Sequence, residues 1–300
     1  MDIRIILNGK KAGLAPVRAA ITSARKSNRV DVRATWEAGD VHRLVQEACT
    51  EGCRRLVAGG GDGTVNEVVH AILALPAADR PELAILPLGT ANDFATGCGI
   101  PVDPLSALSL AQSGKAFAVD AVQANKFSFI NVASGGFGAQ VTSNTPVALK
   151  NFLGGGAYTL SGMAQALNFV PYQGEIRIPG ESSQTEVIVG AVCNGRQAGG
   201  GQQLAPNALI DDGLLDIVAL HAFPKEALGQ VLKELMTPET SGDYVKHIRV
   251  PWVEWHSDVE MPINLDGEPI KAKKIRFEAL PGAIKLVLPE NCPLLTTSCT

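Results

Sequence analysis

The sequence predicts an α/β chain of two domains, in which a parallel-sheet domain precedes an antiparallel β-sandwich. Short β-branched runs alternate with helical patterns over the first 120 residues, whereas later segments are mostly strand-like and separated by turn residues. The length of 300 residues also exceeds what one hydrophobic core usually organises. We therefore predict a first domain at residues 1–123, completed by a tail at 287–300, and a second domain at residues 124–286.

The first domain is predicted from strands and helices that alternate along the chain. The strands are predicted at residues 3–8, 30–35, 54–58 and 83–86, and the helices at residues 16–26, 40–51, 65–75, 91–96 and 104–113. Strands that alternate with helices of this length pair in parallel, with helices on both faces of the sheet. Ligands of such sheets bind beyond the carboxyl ends of the strands.

The second domain has the pattern of an antiparallel sandwich with a few inserted helices. Strands are predicted at residues 127–132, 186–192, 214–220, 247–255, 263–265, 274–279 and 283–288. Helices are predicted at residues 146–168 and 224–235. The change of pattern near residue 120 places a short hinge at residues 120–126.

Composition excludes several classes of protein. A hydrophobic fraction of 46% and a charged fraction of 19% are typical of a globular chain. The net charge of −4 argues against nucleic-acid binding, which usually needs a basic face. The six cysteines contain no CxxC pair, which indicates reduced thiols in a cytoplasmic protein. Residues 1–7 have the pattern of a short strand and not of a signal peptide, and we expect no transmembrane segment.

A glycine-rich segment at residues 59–66 follows a predicted strand and leads into a predicted helix. Glycine allows the backbone to approach a ligand closely, and successive N–H groups at a helix start bind anions. No Gly-Lys-Ser/Thr follows the glycines, and no GxGxxG can be drawn through them, so this is neither a Walker A loop nor a dinucleotide fingerprint. Thr64 and Glu67 also fit a capping box, with Thr64 at the N-cap.

A second polar loop, residues 86–95, leaves the fourth predicted strand and starts a helix at Thr90 or just after. The loops after the first two strands, residues 8–10 and 35–40, belong to the same edge of a parallel sheet. Four polar, glycine-containing loops at one rim favour a nucleotide cleft over four independent turns.

These segments resemble the diacylglycerol kinase catalytic domain family, and closely its YegS-type lipid kinases. The resemblance rests on Gly60-Gly61-Asp62-Gly63-Thr64 and on Gly89-Thr90-Ala91-Asn92-Asp93-Phe94-Ala95. It extends through residues 194–201, 206–215 and 264–269, and so covers essentially the whole chain. Phosphofructokinases and NAD kinases share the glycine motif and the parallel-sheet domain, whereas the second run is far more specific to lipid kinases.

The resemblance implies an ATP site in the first domain. The glycine amides would hold the phosphates, and Asp62 would help to place a nucleotide-bound Mg²⁺. The residues implied to bind the nucleotide are Thr35, Gly60, Gly61, Asp62, Gly63, Thr64, Val65, Asn66 and Thr90.

The resemblance also implies a Mg²⁺ site in the second domain. Its ligands would be the Asp212 side chain and the backbone carbonyls of Leu209 and Leu214, and Ca²⁺ can substitute at such oxygen-only sites. Considered locally, Asp212-Gly213 instead fits a tight turn before a strand.

By the same resemblance, Glu268 would be the general base that accepts the proton of a lipid hydroxyl, with Asp266 as the second candidate. The implied reaction is in-line transfer of the γ-phosphoryl group of ATP to a phosphatidylglycerol- or diacylglycerol-like lipid. We expect this to take place in the cytoplasm, peripherally at the inner membrane face.

Two other functions stay open from the sequence alone: a kinase of a soluble acceptor such as NAD, and a non-catalytic nucleotide sensor. Two stretches without any charged side chain, residues 127–149 and 151–174, bear on the acceptor. They fit either buried core around a cleft or a wall that accommodates acyl chains. The second interpretation favours a lipid, because anionic soluble acceptors usually need arginines around them.

Overall fold

The computed structural model describes residues 2–136, 170–237 and 241–296, and the chain divides into two compact units. The first unit comprises Met1–Ala121 with Pro281–Thr300, and the second comprises Val122–Leu280. The predicted helix at residues 146–168 and most of the two uncharged stretches lie outside the described residues. Of the helices that are described, none is both long and apolar enough to cross a membrane.

A parallel sheet forms the centre of the first unit. Its strands are β1 (Asp2–Asn8), β2 (Arg29–Thr35), β3 (Arg55–Gly60) and β4 (Glu82–Pro87). Their spatial order is β2-β1-β3-β4, and every pairing is parallel. Beside β4 runs the end of a strand from much later in the chain, with Leu286 opposite Leu83. The predicted parallel sheet is therefore confirmed.

Helices cover both faces of this sheet. They are α1 (Ala15–Ala24), α2 (Asp40–Thr50), α3 (Asp62–Leu73), α4 (Asp93–Gly97) and α5 (Pro104–Ser113). On one face, Ile5 of β1 packs in a core with Val17 of α1 and Leu108 of α5. On the other face, α2 and α3 contact each other and the sheet strands β1 and β3. Burial of both faces explains why the inner strands β3 and β4 are apolar after their first residue, whereas the edge strand β2 carries charged side chains.

Antiparallel strands build the second unit. They are β5 (Lys115–Ala124), which the unit boundary crosses, then β6 (Phe127–Phe129), β7 (Val132–Gly136), β8 (Tyr172–Ile178), β9 (Glu181–Cys193), β10 (Gln197–Ala198), β11 (Gln202–Gln203), β12 (Leu215–His221), β13 (Val245–Val250), β14 (Trp252–Leu265) and β15 (Glu268–Leu288); the helix α6 spans Leu228–Met236. Both β9 and β14 pair with β7 and with β8, so these four strands wrap around a shared core. Within that core the rings of Phe129 and Phe277 meet edge to face, 6.1 Å apart.

Three predicted strand boundaries are wrong in this unit. The strand predicted at 127–132 is two strands, because the N–H groups of Ile130 and Asn131 donate to the Asp266 carboxylate instead of to a neighbouring strand. The strand predicted at 247–255 is interrupted at Pro251, which has no N–H to donate. The strands predicted at 274–279 and 283–288 are one continuous strand, β15.

Strand β8 is absent from the sequence prediction, and Gly174 explains why. The glycine stands where an alternating strand would carry an apolar side chain. A Cβ at this position would lie 2.6 Å from the ring of Trp255 and 2.5 Å from the carbonyl oxygen of His256. The space that a larger side chain would fill is therefore occupied by the indole.

The chain is held where it returns to the first unit. Asp120, only 1% exposed, accepts a hydrogen bond of 2.8 Å from the N–H of Gly282. Arg80 donates to the Ala283 carbonyl at 3.1 Å and to the Leu73 carbonyl, at the end of α3, at 3.0 Å. These bonds fix the start of the segment that supplies the strand beside β4.

Arg55 joins three elements of the first unit near the amino-terminal end of β3. Its guanidinium pairs with Glu82 at the start of β4 and donates to the Ala111 and Gly114 carbonyls at the end of α5. The Arg55 side chain is 7% exposed. Removal of one partner of a buried ion pair leaves the other without compensation.

We expect Arg55→Met to lower the free energy of unfolding by about 3 kcal/mol, because Glu82 and the two carbonyl groups lose their partner. Urea denaturation followed by circular dichroism measures the change. Arg18→Met, on the exposed side of α1, is the control and should change the free energy by less than about 0.5 kcal/mol. Equal effects of the two substitutions would contradict this role for Arg55.

Candidate active site

The carboxyl ends of four parallel strands meet at one edge of the first unit. Asn8 at the end of β1 is opposite Thr35 at the end of β2, and Gly60 at the end of β3 is opposite Pro87 at the end of β4. The four loops that the sequence placed at one rim are therefore neighbours.

The loop after β3 enters α3 without a side-chain cap. Gly61 is the N-cap residue in extended backbone, and the helix begins at Asp62. The predicted capping box is therefore wrong: Thr64 is the third residue of the helix, and its hydroxyl accepts a hydrogen bond of 3.3 Å from the Asn8 side chain. The N–H groups of this first turn lack partners one turn earlier in the helix, which is the usual basis of anion binding at helix starts.

The loops after β3 and β4 touch through backbone. The N–H of Leu88 donates to the Gly60 carbonyl at 2.8 Å. A Cβ on Gly89 would lie 2.6 Å from the Cα of Gly61, and a Cβ on Gly61 would lie 3.0 Å from the Cα of Gly89. Any side chain at Gly89 would force the two loops apart, so that position needs glycine.

The loop after β4 is closed by Asn92. Its side-chain oxygen accepts from the N–H of Gly89 at 2.8 Å, and its side-chain nitrogen donates to the Gly89 carbonyl at 3.1 Å. Asn92 itself has a left-handed backbone, with φ of 51°. Helix α4 consequently begins at Asp93, later than predicted, and Thr90 is exposed in the loop before it.

Asp62 links the two loops. Its carboxylate accepts a hydrogen bond of 3.2 Å from the N–H of Phe94 in α4. Burial raises the pKa of Asp62 above its ordinary value, and the neighbouring charge of Asp93 acts in the same direction, while the Phe94 N–H opposes both. A cation beside Asp62 would offset the cost of burying the charged carboxylate.

The loop after β2 is held by a buried carboxylate. Asp40, only 7% exposed, accepts from the N–H groups of Trp36 at 2.6 Å and Glu37 at 3.0 Å, and from Arg43 at 2.7 Å. The Arg43 hydrogen bond, followed by the two N–H groups, lowers the pKa of Asp40 to about 2. The hydroxyl of Thr35 accepts from the N–H of Gly9 at 3.3 Å, which joins the first two loops.

The loops after β1 and β2, together with Thr64 and Glu67 of α3, line a cleft of about 500 Å³ in the first unit. This volume is within the range of small-molecule sites. Of the predicted residues, Thr35 and Thr64 line the cleft directly. Lys10, Trp36 and Glu67 line it too and were not among the predicted site residues, although the loops that carry Lys10 and Trp36 were predicted at this rim. The complete lining is Asn8, Gly9, Lys10, Thr35, Trp36, Glu37, Ala38, Val41, Thr64 and Glu67.

Three of the predicted nucleotide-binding side chains, those of Thr64, Val65 and Asn66, are buried, and of these Thr64 lines the cleft. Val65 is 3% exposed and Asn66 is 4% exposed, so neither side chain is open to solvent. The side-chain oxygen of Asn66 has no hydrogen-bond partner in the described part of the chain. Val65 can therefore act only through its backbone.

The predicted metal ligand Asp212 lies in the second unit beside Arg249. One carboxylate oxygen accepts from the N–H of Leu214 at 3.0 Å, and the other pairs with the Arg249 guanidinium. Arg249 also pairs with Asp216 at 3.3 Å. Burial raises the pKa of Asp216, opposed by Arg249 and reinforced by the charge of Asp212. Gly213 has a φ of 72°, so the tight turn predicted locally is present as well.

The carboxylate oxygens around Asp212 are of the type that hard cations prefer. Two carboxylates share one guanidinium, and oxygen is the ligand that Mg²⁺ and Ca²⁺ prefer. Across residues 2–136, 170–237 and 241–296, no three His, Cys, Asp or Glu side chains converge as a metal site. A cation at Asp212 would thus need backbone carbonyls, as the resemblance implies for Leu209 and Leu214.

The two candidate bases differ in their surroundings. The Asp266 carboxylate accepts three backbone N–H groups, from Ile130 and Asn131 at 2.9 Å and from Val132 at 2.7 Å. Glu268, two residues later at the start of β15, is exposed. The surroundings of Asp266 are those of a carboxylate that organises backbone.

The chain is similar to known proteins over nearly its whole length. Residues 2–124 match the diacylglycerol kinase catalytic domain, and residues 131–288 match the YegS C-terminal NAD kinase beta sandwich-like domain. A probable lipid kinase YegS-like protein of Shewanella frigidimarina is 49% identical over 298 residues, which are 99% of this chain and 96% of that protein. A protein of the same name from Chromohalobacter salexigens is 48% identical over 297 residues, 98% of this chain and 96% of that protein.

Solved structures share the fold. The crystal structure of a diacylglycerol kinase from Bacillus anthracis strain Sterne matches with a TM-score of 0.72 at 22% identity, over 97% of this chain and 98% of that chain. Another structure from the same strain matches with a TM-score of 0.80 at 23% identity and the same coverage. The two domain matches and the near-complete alignment with close relatives show that the chain belongs to the YegS-like family of probable lipid kinases, which carries a diacylglycerol kinase catalytic domain followed by a YegS C-terminal domain.

Proposed function

We propose that this chain is an ATP-dependent lipid kinase, which transfers the γ-phosphoryl group of ATP to the hydroxyl of a membrane lipid similar to phosphatidylglycerol or diacylglycerol. The observation that carries the proposal is the backbone contact between the glycine loops after β3 and β4, beside the cleft of about 500 Å³. Lipid kinase relatives at 49% and 48% identity support the class of reaction. A lipid acceptor places the reaction at a membrane surface, for which we propose the inner face.

ATP binding is assigned to the first unit. We propose that the N–H groups of Gly60–Asn66 hold the phosphates, since the start of α3 presents N–H groups to an anion. Thr35 and Thr64 supply hydroxyl groups on the wall of the cleft, and Thr90 supplies one from the second loop. Lys10, on the same wall, adds positive charge for the phosphates.

Glu268 is proposed as the general base. Asp266 is the weaker candidate because its two carboxylate oxygens already accept three backbone N–H groups. Glu268 is exposed and so can accept a proton from a hydroxyl brought to it. A positioned carboxylate contributes roughly 10²–10⁴-fold to such a transfer. In this proposal the first unit binds ATP, and Glu268 of the second unit removes the proton.

A divalent cation, Mg²⁺ or Ca²⁺, is proposed at Asp212 with the carbonyl oxygens of Leu209 and Leu214. When bound, such a cation adds positive charge to an acidic site. Arg249 now pairs with one Asp212 oxygen and has to release it for this coordination. Asp62 is proposed to help place a second, nucleotide-bound Mg²⁺, consistent with the desolvation of its carboxylate.

Gly89→Ala should lower turnover by roughly 10²-fold, because a Cβ 2.6 Å from the Cα of Gly61 displaces the phosphate-binding backbone. Turnover is measured as transfer of label from ATP to lipid at saturating substrate, with thermal melting to confirm folding. Gly13→Ala is the matched control in the same unit, since no atom lies within 4 Å of the added Cβ. A folded Gly89→Ala variant with normal turnover would contradict the phosphate-binding assignment.

Glu268→Gln should reduce phosphoryl transfer by roughly 10²–10⁴-fold and leave the affinity for ATP unchanged. The assay presents phosphatidylglycerol, diacylglycerol and a sphingoid base in mixed micelles with radiolabelled ATP and Mg²⁺, and counts label in the organic extract. Glu260→Gln, an exposed carboxylate of β14, is the control. Normal transfer by Glu268→Gln would refute the assignment of Glu268 as the general base. If label appeared in NAD and in no lipid, the proposed lipid acceptor would be refuted.

Mg²⁺ or Ca²⁺ should raise the melting temperature of the wild type. When the free cation concentration is a hundred times its Kd, the gain in the free energy of unfolding is about 2.7 kcal/mol. Asp212→Asn should abolish this increment because a charged ligand is lost. Asp258→Asn, on the exposed surface of the same unit, should keep it. An unchanged increment in Asp212→Asn would show that the cation binds elsewhere.

A further inference from the structure

Trp36 is the most exposed of the large hydrophobic side chains that the structure describes. Its relative exposure is 95%, compared with 43% for Leu14 in the same unit. It directly follows Thr35 and lines the cleft of about 500 Å³. Tryptophan normally buries a large area on folding, so an indole left almost wholly in water at a binding cleft is available for a ligand.

The backbone that carries this indole is fixed. The N–H groups of Trp36 and Glu37 both donate to one oxygen of the buried Asp40 carboxylate, at 2.6 and 3.0 Å. The other oxygen accepts from Arg43, which also pairs with Glu47 one turn further along α2. The indole is thus exposed on an anchored loop, and little backbone entropy is lost when a ligand packs on it.

The remaining lining of the cleft offers no ring on which an aromatic base could stack. Its other residues offer polar groups, small or aliphatic side chains and glycine, and Trp36 is the single aromatic residue among them. The hydroxyl groups, the Lys10 ammonium and the N–H groups of the α3 start suit the phosphates and the ribose. A purine presents an apolar π-face, which stacks favourably on an indole.

We propose that Trp36 is the stacking platform for the adenine base of ATP. This inference rests on the proposed binding of ATP in the first unit, and assigns the base a place on the β2 loop. Stacking tolerates different bases because every base has a π-face. The platform therefore serves the adenine and guanine rings alike, and the choice between them has to be made by other groups.

The test is isothermal titration of the full chain with ATP, GTP and inorganic tripolyphosphate. Trp36→Ala should weaken ATP and GTP binding by between about fivefold and 100-fold, and leave tripolyphosphate binding unchanged, since that ligand has no base. Trp36→Phe should restore most of the affinity because it keeps an aromatic face. Leu14→Ala, which removes another exposed apolar side chain of the unit, should bind like the wild type.

Tryptophan fluorescence gives a second readout. The chain has three tryptophans, of which Trp252 and Trp255 belong to the second unit. ATP should quench the emission of the wild type and of Trp252→Phe, and should not quench that of Trp36→Phe. Quenching retained in Trp36→Phe would overturn the inference.

The titrations separate failure of this inference from failure of the nucleotide site. If the wild type and Trp36→Ala bind ATP equally well, stacking on Trp36 is refuted and the proposed ATP site is unaffected. A wild type that binds neither ATP nor tripolyphosphate overturns both. If Trp36→Ala keeps its ATP affinity but no longer sediments with phosphatidylglycerol vesicles, Trp36 is a membrane contact and the platform is refuted.

Discussion

The candidate active site depends on the contact between the backbones of Gly61 and Gly89. Two loops from neighbouring strands can share one rim only if neither brings a side chain between them, and the Leu88 N–H to Gly60 carbonyl bond then holds them together. The starts of α3 and α4 follow directly from these loops. Asp62 completes the arrangement by accepting the Phe94 N–H across the junction.

At several points where the described chain leaves regular structure, a carboxylate accepts backbone N–H groups. Asp40 holds the β2 loop, Asp120 the return segment, and Asp266 the connection between β6 and β7. In the second unit, Glu234 accepts from three successive N–H groups of the segment before and into β13. Ionised acceptors make stronger hydrogen bonds than neutral ones. Of these carboxylate anchors, Asp40 holds a loop that lines the cleft.

Local patterns predicted the first unit better than the second. Its strands and helices are set by runs of apolar residues broken by turns, and the glycines of residues 59–63 mark the site within one stretch of sequence. In the second unit, the limits of β6 and β7 depend on Asp266, more than 130 residues away in sequence, and β8 depends on a glycine packed against Trp255. The pairing of Arg249 with Asp212 and the exposure of Trp36 likewise arise only from tertiary structure. The role of Glu268 stays a prediction from resemblance.

The first unit is interrupted in sequence by the entire second unit, and this affects how the protein can be made. The strand beside β4 comes from residues 281–288, which leave the ribosome after Val122–Leu280. At roughly 5–20 residues per second, the nascent parallel sheet waits on the order of ten to thirty seconds for that strand. During this interval the edge of β4 is unpaired and open to wrong partners.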